Sequence, residues 1–395
     1  MLFPLLLTFG ITLACKTDED CSLNGICSEY AGECKCDTGW RGTDCGELDI
    51  LPAKRDTGYN RTAENISSWC FSVVQDPHDK DLHHAFLSEF SNHCGLDYWA
   101  PYSRIIRAES ETGPAGPYTF AEEVVGHFAH NPTVVYSPAY RLYLLYYIGC
   151  PQKVEDKCTD PSFTCGPGNF HNGESGISVL SSPDLKKWKH HGQVIQGENS
   201  KDWNAVVTNP SPLPLCSDHR GEWQQKRDGC NSDMLLVYRG CPLNCSDGPE
   251  TELIGLAMAH KFDGEYTRLN NDLPIFKNPA EDPFTWQDVR GNYHMLVHSL
   301  EKEGGFGDGP KVGRHAFSRS IDGPWIFNTK TLAFSTLVKF DDGTEINFYR
   351  RERPQLYFSD DGNMTPLFLT TGVQEKDSPM SYSIIVPVGQ NGKGT

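Results

Sequence analysis

The chain has 395 residues, enough for one large domain and a small one. Its formal net charge is −17, with 52 acidic against 35 basic residues. That balance excludes a basic footprint for nucleic acid or for an anionic membrane surface, and it reads as solubility outside the cell.

Residues 1–14, "MLFPLLLTFGITLA", form an apolar run ending in small residues. The run is too short to span a bilayer and reads as a secretory signal peptide. No later stretch has the length of a membrane-spanning helix, so no membrane insertion is expected. Fifteen cysteines fit an oxidising compartment. Four acceptor sequons, at Asn60, Asn65, Asn244 and Asn363, point the same way. The expectation is a secreted, extracellular glycoprotein.

Residues 15–46 hold six cysteines: Cys15, Cys21, Cys27, Cys34, Cys36 and Cys45. So short a segment buries too little to fold without crosslinks. Six cysteines allow fifteen pairings, and spacing alone does not choose among them. The Asn24-Gly25 turn, the single-residue gap between Cys34 and Cys36, and the ending Gly39-Trp40-x-Gly42-x-x-Cys45 resemble the EGF-like module. That resemblance implies Cys15–Cys27, Cys21–Cys34 and Cys36–Cys45. It also implies a spacer, or a unit that binds protein or glycan. The acidic residues that calcium-binding modules carry before the first cysteine are absent, so no calcium is expected in this module.

Residues 47–68 are polar and read as a linker in which "ELDIL" is able to pair as a closing strand. From 69 to 395 the chain is a series of short aromatic and β-branched runs bounded by Gly, Pro, Asp and Asn. Four of them start with a polar residue before proline: "AHNPTVVYS", "VTNPSPLPL", "AEDPFTWQD" and "RERPQLYFS". "SSWCFSVV" supplies a fifth first strand without the proline. The repeat predicts an all-β fold, a five-bladed β-propeller.

The starts of a propeller's inner strands gather at one face and form a concave polar site. That places His130, Asn131, Asn209, Glu281, Asp282, Arg351, Glu352 and Arg353 around one pocket. The second strands add Glu89, Arg239, His294 and His298, with His315 near the next turn. Side chains alternate along a strand, so Glu281 and Asp282 are expected to point opposite ways. Trp99, Trp203 and Trp286 are candidates for stacking on sugar faces. Further disulfides are expected between Cys70 and Cys94, Cys216 and Cys230, and Cys241 and Cys245. Nine cysteines lie in the propeller region, so at least one lacks an intramolecular partner. No zinc-ligand spacing, phosphate loop or Gly-x-Ser-x-Gly elbow is present, and no metal ligand is assigned.

The blade pattern resembles glycoside hydrolase family 43 and its relatives. "HNPTVVYSPAYRLYLLYYIG" is similar to that family's Asp-Pro strand, and "AEDPFTWQDVRGNYHMLVHS" to the blade whose Glu-x-Pro motif supplies the proton donor. The resemblance implies a carbohydrate substrate and inversion by two carboxylates with a water between them. Glu281 then matches the acid, Asn131 stands where the base Asp belongs, and Asn209 where the acid-tuning Asp belongs. An amide does not take up a proton at neutral pH. Glu352 is therefore the candidate base or nucleophile, with Asp282 as its alternative and the histidines as further proton carriers. Unpaired, Arg239, Arg351 and Arg353 imply an anionic sugar. Two functions compete: a secreted glycoside hydrolase, and a catalytically altered, lectin-like carbohydrate-binding propeller. No cofactor is assigned; a central calcium, as in some related propellers, has no signature here.

Overall fold

The structure is a computed structural model that describes residues 15–28, 30–149, 154, 157–158, 176–197, 203–216, 230–242, 251–301 and 312–389. Residues 1–14, on which the expected signal peptide falls, and Asn244 and Cys245 lie outside the described residues. Five antiparallel sheets form the blades of a propeller. The inner strands are Ser68–Gln75, His130–Ser137, Val206–Cys216, Ala280–Gln287 and Arg350–Phe358. Blades one to four have four strands each, and blade five has three. Ile50 makes an antiparallel bridge to Val388, and Leu51 donates its N–H to Pro387 O at 2.9 Å, so the segment before blade one lies on blade five's open edge.

Burial follows the radial order of the strands. The second strand of blade one, His83–Phe90, is buried along its whole length, whereas the outermost strands Thr119–Val125 and Lys189–Gln196 are mostly exposed or half-buried. The first and second strands of a blade have a neighbouring blade on each face, so a continuous apolar run such as "LYLLYYIG", the second strand of blade two, suits them. Outer strands meet water and tolerate Lys, Gln and Glu.

Residues 15–45 form the small crosslinked module, with disulfides Cys15–Cys27, Cys21–Cys34 and Cys36–Cys45. The module packs on blades four and five. Trp40 stacks on Trp286 with ring centroids 6.4 Å apart, Arg290 pairs with Asp37, and Asn328 and Thr331 donate to Asp44 at 3.0 and 2.8 Å. Cys94 bonds Cys158, not Cys70 as expected from sequence. Cys70 lies on an inner strand, buried and free. Cys216 and Cys230 are in register on adjacent strands, but their side chains are outside the described residues. Cys241 is disulfide-bonded to a residue outside the described set.

Candidate active site

Each inner strand is interrupted at the same point. Strand pairing shifts register between Trp69 and Ser72, at Tyr146–Ile148 opposite Asn131, and between Thr208 and Ser211, Glu281 and Phe284, and Glu352 and Gln355. At the centre of each break one residue has positive φ: Cys70 (65°), Asn131 (54°), Asn209 (52°), Asp282 (55°) and Arg353 (59°). Asn and Asp tolerate that region best; Cys and Arg hold it at a cost in strain. A bulge re-aims side chains, and here it cancels the alternation expected for Glu281 and Asp282. Both line the same cavity.

The bulge residues form a ring across the axis. Asn131 Nδ2 donates to Asn209 Oδ1 at 3.0 Å, and Asn209 Nδ2 donates to Asp282 Oδ1 at 2.8 Å. Asp282 Oδ2 accepts the Arg353 backbone N–H at 3.0 Å. Arg353 closes the ring by donating to the carbonyls of Asn131 and Pro210 at 3.1 and 3.3 Å. This explains the two amides. An Asp at 209 would set a second carboxylate within 2.8 Å of Asp282, a repulsion that an amide turns into a hydrogen bond. Asp282 and Arg353 thus bind the axis together, and Arg353 is spent on it.

One residue earlier on each strand stands a second ring: Trp69, His130, Thr208, Glu281 and Glu352. All five line a cavity of about 280 Å³, together with Leu96, Asp97, Trp99, Ile148, Arg239, Glu252 and Arg350. His298 faces Glu281 across the strand pair, with Nδ1 3.1 Å from Oε1. Glu281, Asp282, His298 and Glu352 each bring an oxygen or nitrogen within 4.8 Å of the others. Arg239 lies 2.9 Å from Glu252 Oε2 and 3.5 Å from Glu281 Oε2, and Arg350 lies 3.8 Å from Glu352.

The charges separate the acids. Burial raises the Glu281 pKa, but His298 and Arg239 outweigh it and hold the group well below the ordinary carboxylate range. Burial pushes Glu252 up against the pull of Arg239. Burial would lower His298, yet Glu352 and Glu281 hold it above the usual histidine value. His130 is held well below that value by burial and by Arg353, and its Nδ1 pairs with Ser103 Oγ at 2.8 Å.

Several expected site residues lie elsewhere. His294 and His315 are at the opposite end of blade four, 3.1 Å apart, and Asn24 of the small module meets His315 at 3.4 Å. They fail to reach the pocket because they pair with the far half of the strand. Arg351 points away from the pocket, donating to Ser335 O at 2.8 Å beneath the Phe334 ring. Glu89 pairs with Arg104 at 2.6 Å, Trp203 stacks on Tyr238, and Trp286 packs under the small module. Sequence reasoning missed Trp69, Glu252 and Arg350. Trp69 was legible by aligning "SWCF" with "AEDP" and "RERP", because it precedes the bulge residue as Glu281 and Glu352 do. Glu252, before a third strand, has no such repeat.

A calcium site does not fit these residues. Calcium takes about six to eight oxygen ligands. The cluster offers three carboxylates and an imidazole, the Asp282 oxygens already accept N–H donors, and Arg239, Arg350 and Arg353 neutralise the acids.

A family model described as an EGF-like domain matches residues 15–45. No curated protein matches the chain. Among solved structures it is similar to a family 117 glycoside hydrolase of Zobellia galactanivorans: 14% identity, TM-score 0.55, covering 89% of this chain and 91% of that one. It is also similar to the GH62 alpha-L-arabinofuranosidase catalytic domain of Coprinopsis cinerea: 14% identity, TM-score 0.54, covering 91% and 99%. A third is the alpha-L-arabinofuranosidase of Podospora anserina in complex with cellotriose: 11% identity, TM-score 0.51, covering 87% and 96%. At these identities the likeness is one of fold. The chain is an EGF-like module joined to a five-bladed propeller of the kind found in glycoside hydrolases.

Proposed function

We propose that the protein is a secreted glycoside hydrolase acting on a neutral carbohydrate. The observation that carries this reading is the pair Glu281 and Glu352. Equivalent positions on adjacent blades deliver them to one cavity, with oxygens within 4.8 Å. Arg239 is paired with Glu252 and Glu281, Arg353 is held in the axial ring and Arg351 donates to Ser335 O away from the pocket, which weakens the ground for an anionic sugar.

The roles differ from those the family resemblance implies. Glu281, held ionised by His298 and Arg239, suits attack on the anomeric carbon better than proton donation. By elimination Glu352 is the group assigned the proton exchange with the leaving oxygen and with water; Asp282, which burial and Glu281 push up to about 7, is its alternative as donor. A carboxylate that attacks directly forms a covalent glycosyl-enzyme that water then hydrolyses. Retention of anomeric configuration is the expected outcome.

The test is product release from p-nitrophenyl α-L-arabinofuranoside and a panel of neutral oligosaccharides, with the product anomer read by NMR. Turnover by wild type that is lost in both Glu281→Gln and Glu352→Gln supports the reading. Inverted product overturns the roles given to the two acids. Binding without turnover supports a second reading, a lectin-like propeller. The locking of both amides, Asn131 and Asn209, into the axial ring favours that reading.

A further inference from the structure

We propose that Trp99 is a specificity-determining sugar platform at the pocket mouth, held by an insertion that the Cys94–Cys158 disulfide ties down. The proposal rests on the carbohydrate reading above and adds where the second sugar ring sits.

Blade one carries the insertion, residues 91–102 between its second and third strands, made of 3-10 turns and the helical turn Trp99–Tyr102. It crosses to both neighbouring blades. Towards blade five, Leu96 donates its N–H to Pro379 O at 2.8 Å, and a Cβ on Gly95 would stand 2.5 Å from the same oxygen. Towards blade two, Cys94 bonds Cys158 and the Tyr102 hydroxyl donates to Lys157 O.

The insertion brings Leu96, Asp97 and Trp99 to the cavity. Trp99 is half-buried and rests on the His130 ring, centroids 4.9 Å apart. Trp69 is 3% exposed and Asp97 is exposed. The depth order is therefore Trp69, Trp99, Asp97. An indole offers an apolar face to the C–H face of a sugar, and a carboxylate beside it accepts the sugar's hydroxyls. Trp69 sits on the same ring of positions as Glu281 and Glu352 and walls the sugar whose bond breaks. Trp99, shallower, meets the next ring.

The experiment uses the full chain with its disulfides intact. Wild type, Trp99→Ala, Trp99→Phe and Cys158→Ser are compared on an aryl monoglycoside and on the matching trisaccharide, after melting curves show each variant folded. The expected result for Trp99→Ala is a rise in KM about tenfold larger for the trisaccharide than for the monoglycoside, equivalent to about 1.4 kcal/mol, with kcat changed far less. Trp99→Phe restores most of the loss, and Cys158→Ser gives a smaller rise of the same selectivity. Equal KM changes on both substrates overturn the proposal. If wild type turns over nothing, the hydrolase reading fails separately, and binding to a neutral glycan array decides the platform. About tenfold weaker capture by Trp99→Ala than by wild type upholds it; equal capture, or no capture by wild type, overturns it.

Discussion

One strand pair of blade four carries two buried histidine sites that behave as opposites. At the pocket end, Glu281 stands in register with His298; at the far end, Trp286 stands in register with His294. Both imidazoles, and that of His315, are fully buried. Around His298 the neighbours are carboxylates, and its pKa is held up. Around His315 they are the indoles of Trp40 and Trp286, the His294 ring and the Asn24 amide, and its pKa is held down. Burial is common to both, so the neighbours alone decide whether a histidine serves charge chemistry or packing.

The comparison breaks most visibly by substitution at each end in turn. Glu281→Gln keeps the shape and removes the charge at the pocket end. Turnover is expected to fall by about a thousandfold or more, within the range of a lost catalytic carboxylate, with a lowered melting temperature as well, because buried His298 and Arg239 lose a charged partner. Trp286→Ala does the reverse. A core Trp→Ala change costs about 3–5 kcal/mol, read as a lower urea midpoint and faster proteolytic release of the EGF-like module, while kcat of the folded fraction stays near wild type. Equal loss of activity in the two variants would mean that the ends are not separable.

The repeat made most of the fold legible. Proline at 132, 210, 283 and 354 marks the inner strands because the bulge recurs in every blade, and the small module announces itself through its cysteines. The ring of residues before the bulge was half legible: Glu281, Glu352 and His130 stood two residues before a proline, whereas Trp69 needed "SWCF" to be aligned on the other inner strands, because Cys70-Phe71 lacks the proline. The histidines were not separable from sequence. His294 and His298 are four residues apart, an even step that keeps both on one face of the strand, so alternation gives no hint that they sit at opposite ends. The occupant of the far end, the EGF-like module, is more than 200 residues away in sequence, and its docking was invisible to any local pattern. The meaning of Asn131 and Asn209 was likewise non-local, since it depends on Asp282 and Arg353 closing the ring.

Gly372 sharpens the pocket end. It pairs with Glu352, and a Cβ there would stand 2.5 Å from the Trp69 indole. Only a hydrogen leaves room for that ring against the second strand of blade five. Gly372→Ala is expected to cost about 1–3 kcal/mol, as overpacked sites do, and to raise KM more than it lowers kcat, because it moves the aromatic wall and leaves the carboxylates in place. An unchanged KM would detach Trp69 from substrate binding.

The smallest effect is the most specific, because the two ends should answer pH with opposite sign. His315 has a folded pKa below its unfolded value of about 6.5, so its contribution to stability is complete above that pH and is lost as pH falls below it. His298 has a folded pKa above that value, so its contribution is complete below about pH 6.5 and is lost as pH rises through the folded pKa. Urea denaturation of wild type, His315→Asn and His298→Asn across pH 5 to 8 separates them. The stability gap between wild type and His315→Asn should shrink towards acid, and the gap for His298→Asn should shrink towards alkali. Gaps that move in the same direction would show that the carboxylates do not hold the His298 charge, and the assignment of Glu281 as the ionised partner would fall with it.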